Sequence, residues 1–177
     1  MVRNSGIGNR ESGIEAAGES GVLEILRGIK DPEVPALDIV ELGIVRGAEV
    51  DGGKVLVRIT PTYSGCPALR VIEDEVSATL RQHGFTDVSV KTVFNPPWTT
   101  DWISAEAKEK LRAYGIAPPG RVETQDLVPL GRVPRVVACP YCGGTNTSVE
   151  SEFGATSCKS IHYCHSCEQP FEQFKAI

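Results

Sequence analysis

Two Cys-x-x-Cys pairs lie near the end of the chain, C139-P-Y-C142 and C164-H-S-C167, with 21 residues between them. Thiolates are soft ligands, and four of them suit a tetrahedral zinc ion. A Cys-x-x-Cys turn lets two sulfurs converge on one ion, so two such turns close a site. The spacing therefore predicts a metal-folded ribbon over residues 137–177, with Cys139, Cys142, Cys164 and Cys167 as zinc ligands and each pair at the tip of a β-hairpin. A segment this short has too little core to fold unaided, and the metal would supply the folding energy. Cys158 is a further thiol six residues before Cys164. It reads as a buried thiol or as an additional ligand, and in the second case the site could hold an iron–sulfur cluster.

The sixth cysteine stands alone. Cys66 lies in T62-Y-S-G-C66-P67, with Pro67 suited to the first position of a helix. A thiol at such a cap faces unpaired N–H groups and the positive end of the helix dipole, and both favour thiolate. Thr62 belongs to the turn leading in. Asp31 and Glu33, in D31-P-E, are candidates for the same end of the domain, although this pattern also occurs as plain turn chemistry. Trp98 and Trp102, in N95-P-P-W-T-T-D-W102, fall in a proline-rich loop and read as a candidate interface, or with one ring in the core.

The elements that position these residues follow from periodicity. Residues 1–18 are rich in Gly, Ser and charge and read as a disordered tail. A helix is expected over 19–29, striped by Val22, Leu23, Ile25, Leu26 and Ile29 and ended by Asp31-Pro32. Strands over 44–50 and 54–60 flank Asp51-Gly52-Gly53, a hairpin signal. A helix over 67–83 carries Leu69, Ile72, Val76 and Leu80, and a strand follows over 87–94. Ser104 is placed to cap a last helix through Tyr114. The order helix, strand, strand, helix, strand, helix predicts an α+β domain over 19–118. Residues 119–136 then read as a linker and 137–177 as the ribbon.

The chain has 177 residues and a net charge of -5, which argues against a nucleic-acid binder working by phosphate neutralisation. No apolar run approaches the length of a membrane span, roughly 20 residues. The start of the sequence lacks the apolar core of a secretory signal, so a reducing, cytoplasmic setting is expected.

Taken together, D31-P-E-V-P35, D38-I-V-E-L-G-I-V45, T62-Y-S-G-C66-P67 and N95-P-P-W-T-T99 resemble the SufT-type domain of iron–sulfur assembly factors. With the ribbon and E152-F-G-A-T-S-C158-K added, the whole resembles the PaaD family, accessory components of the multicomponent phenylacetyl-CoA monooxygenase (1,2-epoxidase). The resemblance implies a role in aerobic phenylacetate degradation, with the oxygenase or reductase subunits as partners. It implies help in assembling an iron–sulfur or di-iron centre, with Cys66 at the family's characteristic cysteine and Asp31 and Glu33 in its acidic motif. Iron or a cluster would then be held transiently rather than as a resident group. A non-catalytic interaction subunit of the same complex is the alternative. No catalytic step is implied.

Overall fold

The computed structural model describes residues 18–63, 65–120 and 136–177. All but the last residue of the tail expected over 1–18, and most of the expected linker, lie outside them. Helix α1 (Glu19–Leu26) is followed by an irregular stretch, then β1 (Val45–Asp51), β2 (Lys54–Ile59), α2 (Ala68–Gln82) and β3 (Asp87–Thr92). A 3-10 turn (Thr100–Trp102), α3 (Ala105–Tyr114) and the two-residue β4 (Ile116–Ala117) complete this part. The ribbon adds β5 (Thr147–Ser151), β6 (Lys159–Cys164) and β7 (Gln169–Phe174). The expected α+β class and its order of elements hold.

β1 and β2 pair antiparallel, and Gly52 and Gly53 at their turn have φ of +52° and +84°. Two successive positive φ values are the type I′ geometry that matches strand twist, which is why glycine stands at both positions. β2 and β3 are parallel, from Lys54 opposite Asp87 to Ile59 opposite Thr92. A parallel pair needs a crossover, and α2 supplies it. Its Ala68, Ile72, Val76 and Leu80 are buried, as are Val55, Val57 and Ile59 at alternate positions of β2. The two periodicities, near 3.6 and 2, thus meet in one core.

Between α1 and β1 the chain is held by carboxylate-capped turns. Asp31 Oδ1 accepts from the N–H groups of Glu33 and Val34, each at 2.8 Å. Asp38 Oδ1 accepts from Val40 and Glu41 at 3.0 and 2.8 Å. These turns aim Val34, Leu37, Ile39 and Leu42 into the core. Ser104 caps α3 as expected, its Oγ accepting from the Ala107 N–H at 3.1 Å.

The second sheet runs β4-β7-β6-β5. β4 lies ahead of the expected linker, yet it pairs parallel with β7, Ile116 opposite Glu172 and Ala117 opposite Gln173. The ribbon sheet is therefore continued by a strand from the preceding part of the chain. Phe174 and Cys158 extend the same union from the other side, since both are buried in the main hydrophobic core. The ribbon's own core is small: Ala117, Val137, Cys139, Cys164 and Phe171.

Candidate functional site: a four-thiol cluster and a cleft between the two parts

Cys164 ends β6 and Cys167 lies in the turn to β7, where Glu168 takes a φ of +57°. This is the expected hairpin tip. The other pair differs, because residues 136–138, directly ahead of it, form no strand. Cys139–Cys142 is a free-standing turn closed by Gly143 N–H to Cys139 O and Cys139 N–H to Gly144 O, both at 2.9 Å. The sulfurs of Cys139 and Cys167 are 3.7 Å apart, those of Cys142 and Cys164 3.6 Å, and all four lie within 4.8 Å of one another. A Zn–S bond of about 2.3 Å puts the sulfurs of a tetrahedron about 3.8 Å apart. The cluster thus fits one ion held by four thiolates.

Its electrostatics lead to the same fit. Burial opposes the Cys164 thiolate, but N–H groups of Cys167 and Ser166 overcome it and hold the thiol at about 6. Cys167 is pushed up to about 12 by burial and by the sulfurs of Cys142, Cys164 and Cys139. Neighbouring thiols cannot all ionise without a cation, so loading a metal releases protons and welds the turns together.

Cys158 is not part of this cluster. It precedes β6 while Cys164 ends it, and six residues of strand span about 20 Å. The expectation of an additional ligand near Cys164, and of an iron–sulfur site built on it, is corrected accordingly. Sequence proximity misled because a strand carries neighbours away from each other at its full rise.

The structure instead places Cys158 in a cleft at the junction of the two parts. Its lining takes Asp31, Glu33, Thr62, Tyr63 and Cys66 from the first part of the chain and Thr156, Ser157, Cys158 and Phe174 from the ribbon. The cleft is narrow, with a cavity volume of about 20 Å³, and opens partly to solvent. Asp31, Glu33, Thr62 and Cys66, candidates separated by up to 35 positions, are thus brought together. The approach to Cys66 is tight: a Cβ on Gly65 would sit 2.5 Å from Tyr63 Oη. Glycine there lets the Tyr63 ring fold over the turn.

Cys66 is half-buried ahead of α2, and its state is the reverse of the expected one. Burial pushes the thiol above its ordinary value, and the nearby Asp31 and Cys158 add to this. N–H groups of Ala68 and Leu69 pull it down without prevailing. The expected thiolate is therefore a neutral thiol at rest: desolvation outweighs the helix terminus. Cys158 is raised too, chiefly by burial, with the Thr156 hydroxyl and Lys159 opposing. Burial also raises Asp31, against the N–H groups of Glu33 and Val34.

In the tryptophan loop, Trp98 lies in the core rather than on the surface. Trp98 is 5% exposed, donates from Nε1 to Leu42 O at 3.0 Å, and meets the Phe174 ring at 5.9 Å between centroids. Trp102 is half-buried beneath the Arg46 guanidinium, 3.6 Å from its ring centroid. The loop joins the two parts of this chain: Thr100 N–H donates to Ile177 O at 3.0 Å, and Thr99 Oγ1 to the same oxygen at 2.9 Å. Lys159 escaped the sequence reading. It is buried, and its Nζ bonds Glu172 Oε2 at 2.8 Å and Glu33 O at 3.3 Å, fastening the ribbon to the acidic turn. Nothing in the local sequence marked it, because the strand it begins lacks the usual apolar alternation.

Residues 19–92 match the family described as iron–sulfur cluster assembly protein, and residues 123–175 the PaaD zinc beta ribbon domain. A protein of Escherichia coli K12, provisionally named as one of the subunits of 1,2-phenylacetyl-CoA epoxidase, is 41% identical over 153 residues, covering 86% of this chain and 90% of that protein. The Fe-S protein maturation auxiliary factor YitW of Bacillus subtilis is 37% identical over 100 residues, 55% of this chain and 97% of its own. The crystal structure of a DUF59 domain of unknown function from Bacillus anthracis superposes with a TM-score of 0.51 at 31% identity, covering 56% of this chain and 95% of that one. With its assembly-type α+β domain followed by the four-cysteine zinc ribbon, the chain belongs to the PaaD family.

Proposed function

We propose that the protein is an accessory maturation factor for a phenylacetyl-CoA epoxidase, handling iron or an iron–sulfur cluster as cargo for the oxygenase or reductase subunits. The observation that carries this reading is the cleft in which Cys66, Asp31, Glu33 and Thr62 converge, in a chain similar over most of its length to a protein named as an epoxidase component. The iron–sulfur maturation relatives cover the half of the chain that supplies those residues.

The four-cysteine cluster takes zinc as a structural ion. When bound, the ion supplies the folding energy that the small ribbon core lacks. The work of the cleft falls to the chain's own groups. Cys66 rests as a neutral thiol and gives up its proton when a cation arrives, so the sulfur is protected between deliveries. Thr62 and the Tyr63 ring shape the entrance. Asp31 offers Oδ2, since among the described residues its turn hydrogen bonds engage Oδ1 alone.

Cells in which Cys66→Ser replaces the wild type should lose epoxidase activity on phenylacetyl-CoA, with the variant still folded and zinc-loaded. Full activity would overturn the reading. In the alternative, a non-catalytic interaction subunit, Trp98 is no longer a candidate contact, because its ring is buried against Phe174.

A further inference from the structure

Among the described residues the two sheets have four outer strands, β1, β3, β4 and β5. Three of them are blunted. β1 carries an extra residue between Val45 and Gly47, and its Ala48 N–H is taken by Glu19 Oε1 at 3.3 Å. β5 carries an extra residue between Val149 and Ser151, and β4 is only two residues long. Bulges, short strands and occupied N–H groups protect a sheet against the addition of another chain. β3 has none of these. Its six residues pair with β2 in unbroken register, and among the described residues no strand pairs with its other side.

We propose that β3 is the surface through which two copies of this chain associate, pairing antiparallel about a two-fold axis at Ser89. The register follows from the pattern along the strand. Val88 and Val90 pack against the core, while Asp87, Ser89 and Lys91 are exposed on the other face. Directly opposed residues of an antiparallel pair project to the same face. Only pairings of odd with odd and even with even positions therefore keep the α2 side of both sheets continuous. Of these, the one centred on Ser89 sets Asp87 opposite Lys91 twice, with Val88 opposite Val90. A two-fold axis along the strands would instead give a parallel pair with like charges side by side.

The neighbouring strands favour the same arrangement. Asp87 stands beside Lys54, itself opposite Asp51, while Lys91 stands beside Arg58. A row across the joined sheet would read Asp51, Lys54 and Asp87, then Lys91 and Arg58 of the second copy. Lys91 has a cation on its inner side, so an acid on its outer side is what it lacks. Neither Asp87 nor Lys91 has an ion-pair partner among the described residues. Pairing also completes the apolar side. Val55 and Val57 of β2 are 3% and 0% exposed, whereas Val88 and Val90 on the same side of β3 are only partly buried. The area joined is that of one strand pair, so the association is reversible and concentration-dependent. None of these residues lines the cleft at Cys66, and the pairing is tested independently of that cleft.

The test uses the full chain, zinc-loaded and reduced, in sedimentation equilibrium. Wild type should move from 19.0 kDa toward twice that mass as its concentration rises through the micromolar range. Asp87→Lys and Lys91→Asp should each weaken association by roughly tenfold, since each sets like charges opposite each other twice. An equimolar mixture of the two variants should restore it, because each then supplies the charge that the other lacks. Ser89→Cys should cross-link position 89 of one copy to position 89 of another under oxidised glutathione, as read by mass spectrometry of the joined peptides. Zinc content and thermal melt record that the variants fold. A wild type that keeps the mass of one chain at every concentration overturns the proposal. So does a dimer indifferent to both charge substitutions, a mixture that associates no better than either variant alone, or a dimer in which position 89 does not cross-link.

Discussion

Asp31 sits where the fold resists a charge. Burial raises its carboxyl above the ordinary 3.8, although two N–H groups point at it. The folded protein therefore keeps a proton that the unfolded chain has released. Its contribution to stability is full below the unfolded value and declines as pH rises through the raised folded value. At neutral pH the ionised carboxylate is a cost that the turn alone does not explain, because a neutral acceptor would cap it as well. Asp31→Asn should raise stability by about 0.5–2 kcal/mol in thermal melts at pH 7. It should also flatten the acid-side pH dependence while lowering support of epoxidase activity. A variant that melts below wild type would show that the charge stabilises the fold. Cys66 was legible in the sequence as a residue in a special position, yet its protonation was not, because burial depends on the ribbon docking over it.

At the scale of elements, the junction is built from few large contacts. Phe174 is fully buried and touches Trp98, while β4 joins the ribbon through only two residues. Phe174→Ala and Trp98→Ala should each cost about 3–5 kcal/mol in denaturant unfolding. Because the rings are in contact, the double variant should cost less than the sum of the two. Strict additivity would mean that the rings act independently. The hairpin of β1 and β2 was legible from Gly52-Gly53, and α2 from its apolar stripe. β6 was not, because its inward side is partly polar: Ser160 and His162 are buried and satisfy each other at 3.0 Å. A strand whose buried face carries Ser, His and Cys does not show the apolar alternation that marks strands. β3 also ends at Thr92, two residues before the expected Phe94, whose ring is exposed.

The molecule as a whole couples a metal clasp to a distant cleft. Cys158 and Phe174 belong to the main core, while the ribbon that carries them depends on its four thiolates. Removing zinc with a chelator should melt the ribbon while the helical far-ultraviolet signal of α1 to α3 largely remains. Cys66 should then react faster with an exposed-thiol reagent, by roughly tenfold or more, since its cover leaves with the ribbon. An unchanged rate would separate the clasp from the cleft. The four ligands were legible because metal geometry is written in local spacing. The convergence of Cys158 on Cys66 was not, because it depends on how two sheets meet.

The central claim is that the protein delivers or maintains metal in the epoxidase through Cys66. Iron content of the epoxidase polypeptides purified from cells carrying wild type or Cys66→Ser measures this most directly. A severalfold loss of iron per polypeptide is expected in the variant, with the abundance of those polypeptides unchanged. Full iron occupancy in the Cys66→Ser background would contradict it.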